Sequence, residues 1–141
     1  HKVSTMNVII SCGKKKSPIP RKAYMMYSGV YYNSLLRCAM TWISLKNIYI
    51  FSAKYGIIRS DTIIEPYEQR INKAGSVSLE TIEKQISKIN PPIYYLGGKE
   101  YLTVLRKVRN DINAPFQDWH KGSGINTQQA LLNRWRSKKI D

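Results

Sequence analysis

Residues 7–16 have the sequence NVIISCGKKK, in which a short apolar run ends at a loop of small residues and lysines. The run at 7–10 is short and mostly β-branched, which predicts a buried strand rather than a helix. The pattern recurs at 48–56, IYIFSAKYG, and at 93–99, IYYLGGK. Helical patterns separate the three runs, as in folds built on a parallel sheet. We therefore predict an α/β fold: a single domain with a mostly parallel sheet and helices on both faces.

The segments around these strands have the periodicity of helices. Residues 31–45 and 101–108 carry apolar side chains at helical spacing. Ser78 is a predicted N-cap of another helix, which ends before Pro91. Residues 113–116 predict a short fourth strand. These helices would supply the layers that cover the sheet.

The composition bounds the class of protein. The chain has 141 residues, 43% of them hydrophobic, which is enough for one domain with a core. We interpret residues 1–6 as an N-terminal extension or a cloning remnant and residues 7–141 as a single domain that acts on nucleic acid. Because no apolar run approaches the roughly 18–20 residues of a membrane-spanning helix, we expect a soluble, cytoplasmic protein with no membrane partner.

Cofactor and metal sites are not predicted. The two cysteines do not form a CxxC motif, and His120 is isolated from other ligand-type residues, so neither a disulfide scaffold nor a metal site is expected. No loop matches the glycine patterns GxxxxGK[ST] or GxGxxG. We therefore expect no cofactor.

Positive charge is concentrated early in the chain. There are 23 Lys and Arg against 9 Asp and Glu, a formal net charge of +14, and the first carboxylate is Asp61. An acid-free half-chain attracts polyanions, and DNA is the partner that we rank first. The alternative is that the charge only keeps the protein soluble.

Glycines and lysines follow all three predicted strands. The carboxyl ends of parallel strands meet at one edge of a sheet, where ligands bind, so three such loops could form a cationic pocket. Glycine permits close approach of the backbone to a phosphate, and lysine supplies charge. The alternative is that the glycines serve turns and the lysines are solvated. The candidates for nucleic-acid binding are Ser11, Gly13, Lys14, Ser52, Gly56, Gly97, Gly98 and Lys99.

Carboxylates near this pocket could supply acid–base chemistry. Glu68 and Glu65 follow the second strand and are the candidates that we rank first. Lys54 is a third catalytic candidate, because a lysine could instead attack a sugar carbon through a Schiff base. An equally good interpretation is that both carboxylates are solvated and balance Arg59 and Arg70.

Tyrosines lie among the basic loops, and a glycine-rich loop lies late in the chain. Interleaved aromatic rings and lysines suit stacking on bases, and Tyr55 and Tyr67 are the candidates for that role. Residues 122–127, GSGINT, are similar to the hairpin of a helix-hairpin-helix, in which Gly124 would offer its amide to a DNA phosphate. Cys12 is either a nucleophile or, more simply, a small buried residue.

Several motifs together resemble a known family. IISCGKKK, then YSG at 27–29, FSAKYGII, EPYE and YLGGKEY are similar to a bacterial and phage family with the pattern SCGKxK, YxG, SAKYG and PYD, which in turn resembles the YaaA group of DNA-binding proteins. The resemblance implies an α/β domain with a cationic DNA-binding cleft, and some relatives resemble base-excision DNA glycosylases. Glu68 stands where relatives more often have Asp. The matching positions are Ser11, Cys12, Gly13, Lys14, Lys16, Ser52, Lys54, Tyr55, Gly56, Pro66 and Tyr67, with Gln128 in the late glycine loop.

The leading functional hypothesis is a DNA glycosylase that hydrolyses the N-glycosidic bond of a flipped, modified or damaged base, in duplex or single-stranded DNA. A carboxylate such as Glu68 would stabilise an oxocarbenium-like transition state or orient water. The alternatives are a non-catalytic DNA-binding protein and a nucleotide or modified-base transferase. Whether Glu65 or Glu68 shares a crevice with Lys14 and Lys54 separates the enzyme from the binding protein.

Overall fold

The computed structural model describes residues 6–115, which form a four-stranded sheet with helices on both faces. The predicted fold class is thereby confirmed. The strands of the sheet are β1 (Asn7–Ser11), β3 (Ile48–Ser52), β4 (Gly56–Arg59) and β6 (Ile93–Leu96), and a separate antiparallel ribbon is formed by β2 (Arg21–Lys22) and β5 (Ile63–Ile64). The order in the sheet is β4-β3-β1-β6, with β3, β1 and β6 parallel and β4 antiparallel at one edge.

Within residues 6–115, four complete α-helices connect and follow the strands. They are α1 (Ala23–Met26), α2 (Val30–Trp42), α3 (Leu79–Ile86) and α4 (Lys99–Val108). As predicted, Ser78 caps α3, because its hydroxyl accepts a hydrogen bond from the backbone N–H of Thr81. None of the helices in this part of the chain combines the length and the apolar composition needed to cross a bilayer.

The sheet separates two apolar layers. Along β1, Val8 and Ile10 pack into the layer that contains α1 and α2, whereas Ile9 packs into the layer of α3 and α4. All five residues of β1 are buried, which explains why the strand is a continuous apolar run rather than an alternating one. Strand β1 therefore lies at the centre of the fold, and its last residue, Ser11, lies at the carboxyl edge of the sheet.

Several local predictions need correction. The helix expected at 31–45 ends at Trp42 and gives way to a 3-10 turn at Leu45–Asn47. The hairpin strand β4 was not predicted, because its short apolar run follows a tight turn. Of the strand expected at 113–116, the described residues 113–115 form only an isolated bridge between Asn113 and Tyr94. Met6, assigned to the extension, is buried in the core, so the packed structure begins before residue 7.

Candidate functional site

A cleft of about 930 Å³ lies at the carboxyl ends of β1 and β6. These neighbouring strands lead to opposite faces of the sheet: the chain leaves β1 toward α2, and it leaves β6 directly into α4. In open α/β sheets such a divergence creates a crevice in which ligands bind. The walls are the loop after β1, the first turns of α2 and α4, and residues 68–71.

The two helices at the cleft both begin at a glycine without a side-chain cap. Gly29 precedes α2 and Gly98 precedes α4, and neither N-terminus has a capping hydrogen bond. Helix α3 points elsewhere and is capped by Ser78. The first N–H groups of a helix lack partners within the helix and, with the helix dipole, favour an anion. Two such termini therefore make the cleft suited to phosphate groups.

The cleft is predominantly cationic and contains two carboxylates. Lys14, Lys15, Lys16, Arg70 and Lys99 line it, together with Glu68 and Glu100. Tyr31, which is 42% exposed, supplies an aromatic surface at its mouth. Cationic side chains, an aromatic ring and carboxylates are thus brought to one site.

A chain of buried hydroxyl groups lies behind the cleft. The Ser52 hydroxyl donates to Tyr67 Oη at 2.9 Å, and the hydroxyls of Tyr67 and Tyr27 are 2.7 Å apart. The Ser52 Oγ also accepts the backbone N–H groups of Lys54 at 3.1 Å and Tyr55 at 3.0 Å. The chain ties the turn between β3 and β4 to the segment that carries Glu68 into the cleft.

Burial keeps these tyrosines neutral. Burial raises the pKa of Tyr67 and of Tyr27 well above the ordinary value, and the nearby Cys12 sulfur raises both further. Burial likewise raises the pKa of Tyr101, whose hydroxyl lies 3.2 Å from the Cys12 Sγ. At neutral pH these hydroxyls are therefore protonated and can act as hydrogen-bond donors.

The fold brings together about half of the residues singled out in the sequence. Those that line the cleft are Ser11, Cys12, Gly13, Lys14, Lys16, Glu68, Gly98 and Lys99. Those that do not line it are Ser52, Lys54, Tyr55, Gly56, Glu65, Tyr67 and Gly97. Gly124, Gln128, His120 and the hairpin-like loop at 122–127 lie outside the described residues.

Residues away from the cleft have packing roles. Tyr67 is buried, with the Lys16 ammonium 4.6 Å above its ring and the Tyr55 ring packed edge-on against it. Gly56 has a φ of +82°, and the Gln85 side chain occupies the space where a Cβ would lie. Gln85 Oε1 accepts the Ile57 N–H at 2.7 Å, which joins α3 to the β3–β4 turn. The SAKYG motif is thus accounted for by local packing.

Among the charged residues of the cleft, Glu100 and Arg70 were not proposed as site residues from the sequence. Glu100 sits in the first turn of α4, where an acidic residue is ordinary and gives no functional signal. Arg70 is distant in sequence from the three strand ends, and Tyr31 was recognised only as one of the tyrosines among the basic loops, without being ranked as a stacking residue. Glu100 could have been proposed as a site residue because it directly follows LGGK, the end of the third predicted strand. Within residues 6–115, no three His, Cys, Asp or Glu side chains are grouped as a metal site would require.

Comparison with known proteins identifies a family. The profile of DUF6884, described as a family of unknown function, matches residues 8–134, and the chain belongs to this family. No curated protein matches the chain. The matched region includes every residue that lines the cleft.

Proposed function

We propose that this member of DUF6884 acts on DNA as a glycosylase and holds one flipped nucleotide in the cleft. The observation that carries the proposal is that Glu68 and Lys14 line the same crevice, whereas Lys54 lies outside it. An enzyme of this kind needs its carboxylate beside at least one phosphate anchor. The volume of about 930 Å³ is at the upper end of small-molecule sites and accommodates a nucleotide. A cytoplasmic location, with access to DNA, belongs to the same proposal.

Backbone and side-chain donors would bind the phosphates flanking the flipped nucleotide. The first turns of α2 and α4 offer N–H groups from two sides, and Lys14 and Lys99 add charge next to them. The Tyr31 ring would stack on the extruded base. All six residues of the SCGKKK motif line the cleft, and the resemblance of this motif to that of a DNA-binding family also supports the proposal.

The reaction is a hydrolysis. The bond between C1′ of the sugar and the base nitrogen breaks, the base leaves with the electron pair, and positive charge develops on the sugar. The Glu68 carboxylate would stabilise that charge and accept a proton from the attacking water, whose oxygen bonds to C1′; a proton returns to the departing base. Glu100 is a second carboxylate of the cleft for this role.

A panel of DNA substrates tests the proposal. The protein is incubated with duplex and single-stranded DNA carrying different modified bases, and abasic sites are revealed by alkali and gel electrophoresis. We expect Glu68→Gln to lower strand scission by about 10²–10⁴-fold. Glu65→Gln is the matched control, because Glu65 lies three residues away and outside the cleft. Absence of scission on every substrate would refute the glycosylase, and borohydride trapping of a protein–DNA adduct would favour a lysine nucleophile instead.

Binding is tested separately from catalysis. Lys14→Gln should weaken DNA binding and lower the slope of log affinity against log salt by about one, whereas Lys54→Gln, at a lysine outside the cleft, should change it less. If the two variants behave alike, the cleft is not where the phosphates bind.

A non-catalytic DNA-binding protein is the second candidate. Glu68 and Glu100 are both exposed, and a solvated carboxylate is a weaker candidate for acid–base chemistry than a buried one. Tight, salt-dependent binding without scission, unaffected by Glu68→Gln, would favour this function.

A further inference from the structure

A second cationic pocket lies at the opposite edge of the sheet. It has a volume of about 260 Å³ and is formed where β1 and β3 begin and β4 ends. Lys46, Arg59 and Lys88 line it, together with Asn7, Asn47, Asn90 and Tyr49. Since β1 is five residues long, at roughly 3.3 Å per residue, this pocket is separated from the cleft by about the length of the strand.

Two of the cations have no carboxylate partner among the described residues. Lys46 and Lys88 take part in no ion pair there, and Arg59 has only a contact of 4.0 Å with the exposed Asp61. The three positive charges around this small pocket repel one another, and they do not contribute to the packing of the core. An anion in the pocket would relieve this repulsion.

Two contacts favour one orientation of the Arg59 side chain, which is 57% exposed. The Arg59 Nη2 donates to the carbonyl of Lys46 at 3.5 Å, and its guanidinium lies 5.9 Å from the centre of the Tyr49 ring. The floor of the pocket is also fixed, because the Asn7 side chain donates to the Asn90 carbonyl at 2.9 Å. A positioned guanidinium loses less entropy on binding a phosphate, whose oxygens it can contact in pairs.

We propose that the pocket formed by Lys46, Arg59 and Lys88 is a phosphate-binding site, separate from the cleft. Its volume is below that of typical drug-sized sites and has room for a phosphate group, which matches the three cations that line it. The phosphate is either a free ion or monoester or one unit of a nucleic-acid backbone. The site does not depend on the function proposed for the cleft.

Residue-resolved NMR tests the proposal. Inorganic phosphate is titrated into the ¹⁵N-labelled protein, with sodium chloride at matched ionic strength as the reference. We expect saturable shifts of the Asn47, Arg59 and Asn90 amide resonances with phosphate and not with chloride. No saturable shift there, or equal shifts with chloride, would overturn the proposal.

Charge-neutral variants locate the site. Lys46→Gln, Arg59→Gln and Lys88→Gln should each weaken phosphate binding about tenfold, because each removes one charged donor. Lys73→Gln, at an exposed lysine outside both pockets, should leave this binding unchanged. Retention of the shifts when all three lining cations are replaced would overturn the proposal.

A four-nucleotide thymidylate without terminal phosphates distinguishes the two sources. If it shifts the same resonances, the pocket binds backbone phosphates; if only inorganic phosphate does, the ligand is a small phosphate. Both results support the site. Since neither involves scission of DNA, failure of the glycosylase proposal would not affect them.

Discussion

Replacement of Tyr67 by phenylalanine tests the buried hydroxyl chain directly. The substitution keeps the ring, and with it the contacts to Lys16 and Tyr55, and removes only the hydroxyl between Ser52 and Tyr27. Two hydrogen bonds are lost, each with a net value of about 1 kcal/mol. The buried hydroxyls of Tyr27 and Ser52 each lose one partner, which adds roughly another 1 kcal/mol. We expect Tyr67→Phe to lower the free energy of unfolding by about 2–3 kcal/mol.

Urea denaturation measures this loss. The midpoint should fall while the slope of the transition stays constant, and the melting temperature should drop by roughly 10 °C for a chain of this size. The matched control is Tyr55→Phe. The Tyr55 hydroxyl has only long, exposed contacts to the backbone of Glu65, at 3.3 and 3.5 Å, so its loss should cost less than about 0.5 kcal/mol.

A double-mutant cycle isolates the bond between the two tyrosines. Tyr27→Phe combined with Tyr67→Phe leaves no hydroxyl unpaired at that contact, so the double variant should lose about 1 kcal/mol less than the sum of the single variants. If Tyr67→Phe is as stable as the Tyr55→Phe control, the hydroxyl chain does not stabilise the fold. If the losses of the two single variants add up to the loss of the double variant, the hydrogen bond between Tyr27 and Tyr67 does not contribute.

Three further predictions concern stability. The free energy of unfolding should fall as pH rises above about 10, because burial raises the pKa of Tyr27 and of Tyr67, so that both keep protons that tyrosines of the unfolded chain lose. Tyr27→Phe and Tyr67→Phe should each make this fall shallower by about 1.4 kcal/mol per pH unit, and an unchanged slope would contradict the prediction. Gly97→Ala should lower the free energy of unfolding, measured by chemical denaturation, by at least about 2 kcal/mol, because at φ +151° a Cβ would collide with the Ser11 and Tyr95 side chains. Gly98→Ala is the control and should be nearly neutral, because a Cβ there meets open space. Arg109→Lys should lower the melting temperature, since a lysine cannot reproduce the guanidinium bonds to the Ile86 and Ile89 carbonyls and to Asp111, while Lys107→Arg should not.

The strands could be predicted because their signal is local. β1, β3 and β6 are continuous β-branched or aromatic runs that end at small residues, and a buried parallel strand needs nothing else. The edge strand β4 could not, since it is stabilised by pairing with β3 and by the Gln85 side chain, which is 28 residues from Ile57 in sequence. Contacts at that separation leave no periodicity to detect.

The candidate site was only partly predictable for a related reason. Strand ends identified Lys14 and Lys99, because the edge of a parallel sheet gathers its loops. Which carboxylate faces that edge depends on the path of an irregular segment, and the sequence could not separate Glu68, in the cleft, from Glu65, outside it. Tyr67 drew attention as a stacking ring, and its hydroxyl is instead bonded within the protein interior.

The Ser52 hydroxyl makes occupancy of the cleft measurable from a distance. It accepts hydrogen bonds from the amides of Lys54 and Tyr55, and it donates one to Tyr67, which precedes Glu68 in the chain. A ligand that braces this segment should slow exchange of those two amide protons with deuterium, although neither residue lines the cleft. Hydrogen exchange in the β3–β4 turn would therefore report binding in the cleft, without a label on the ligand and without any reaction taking place.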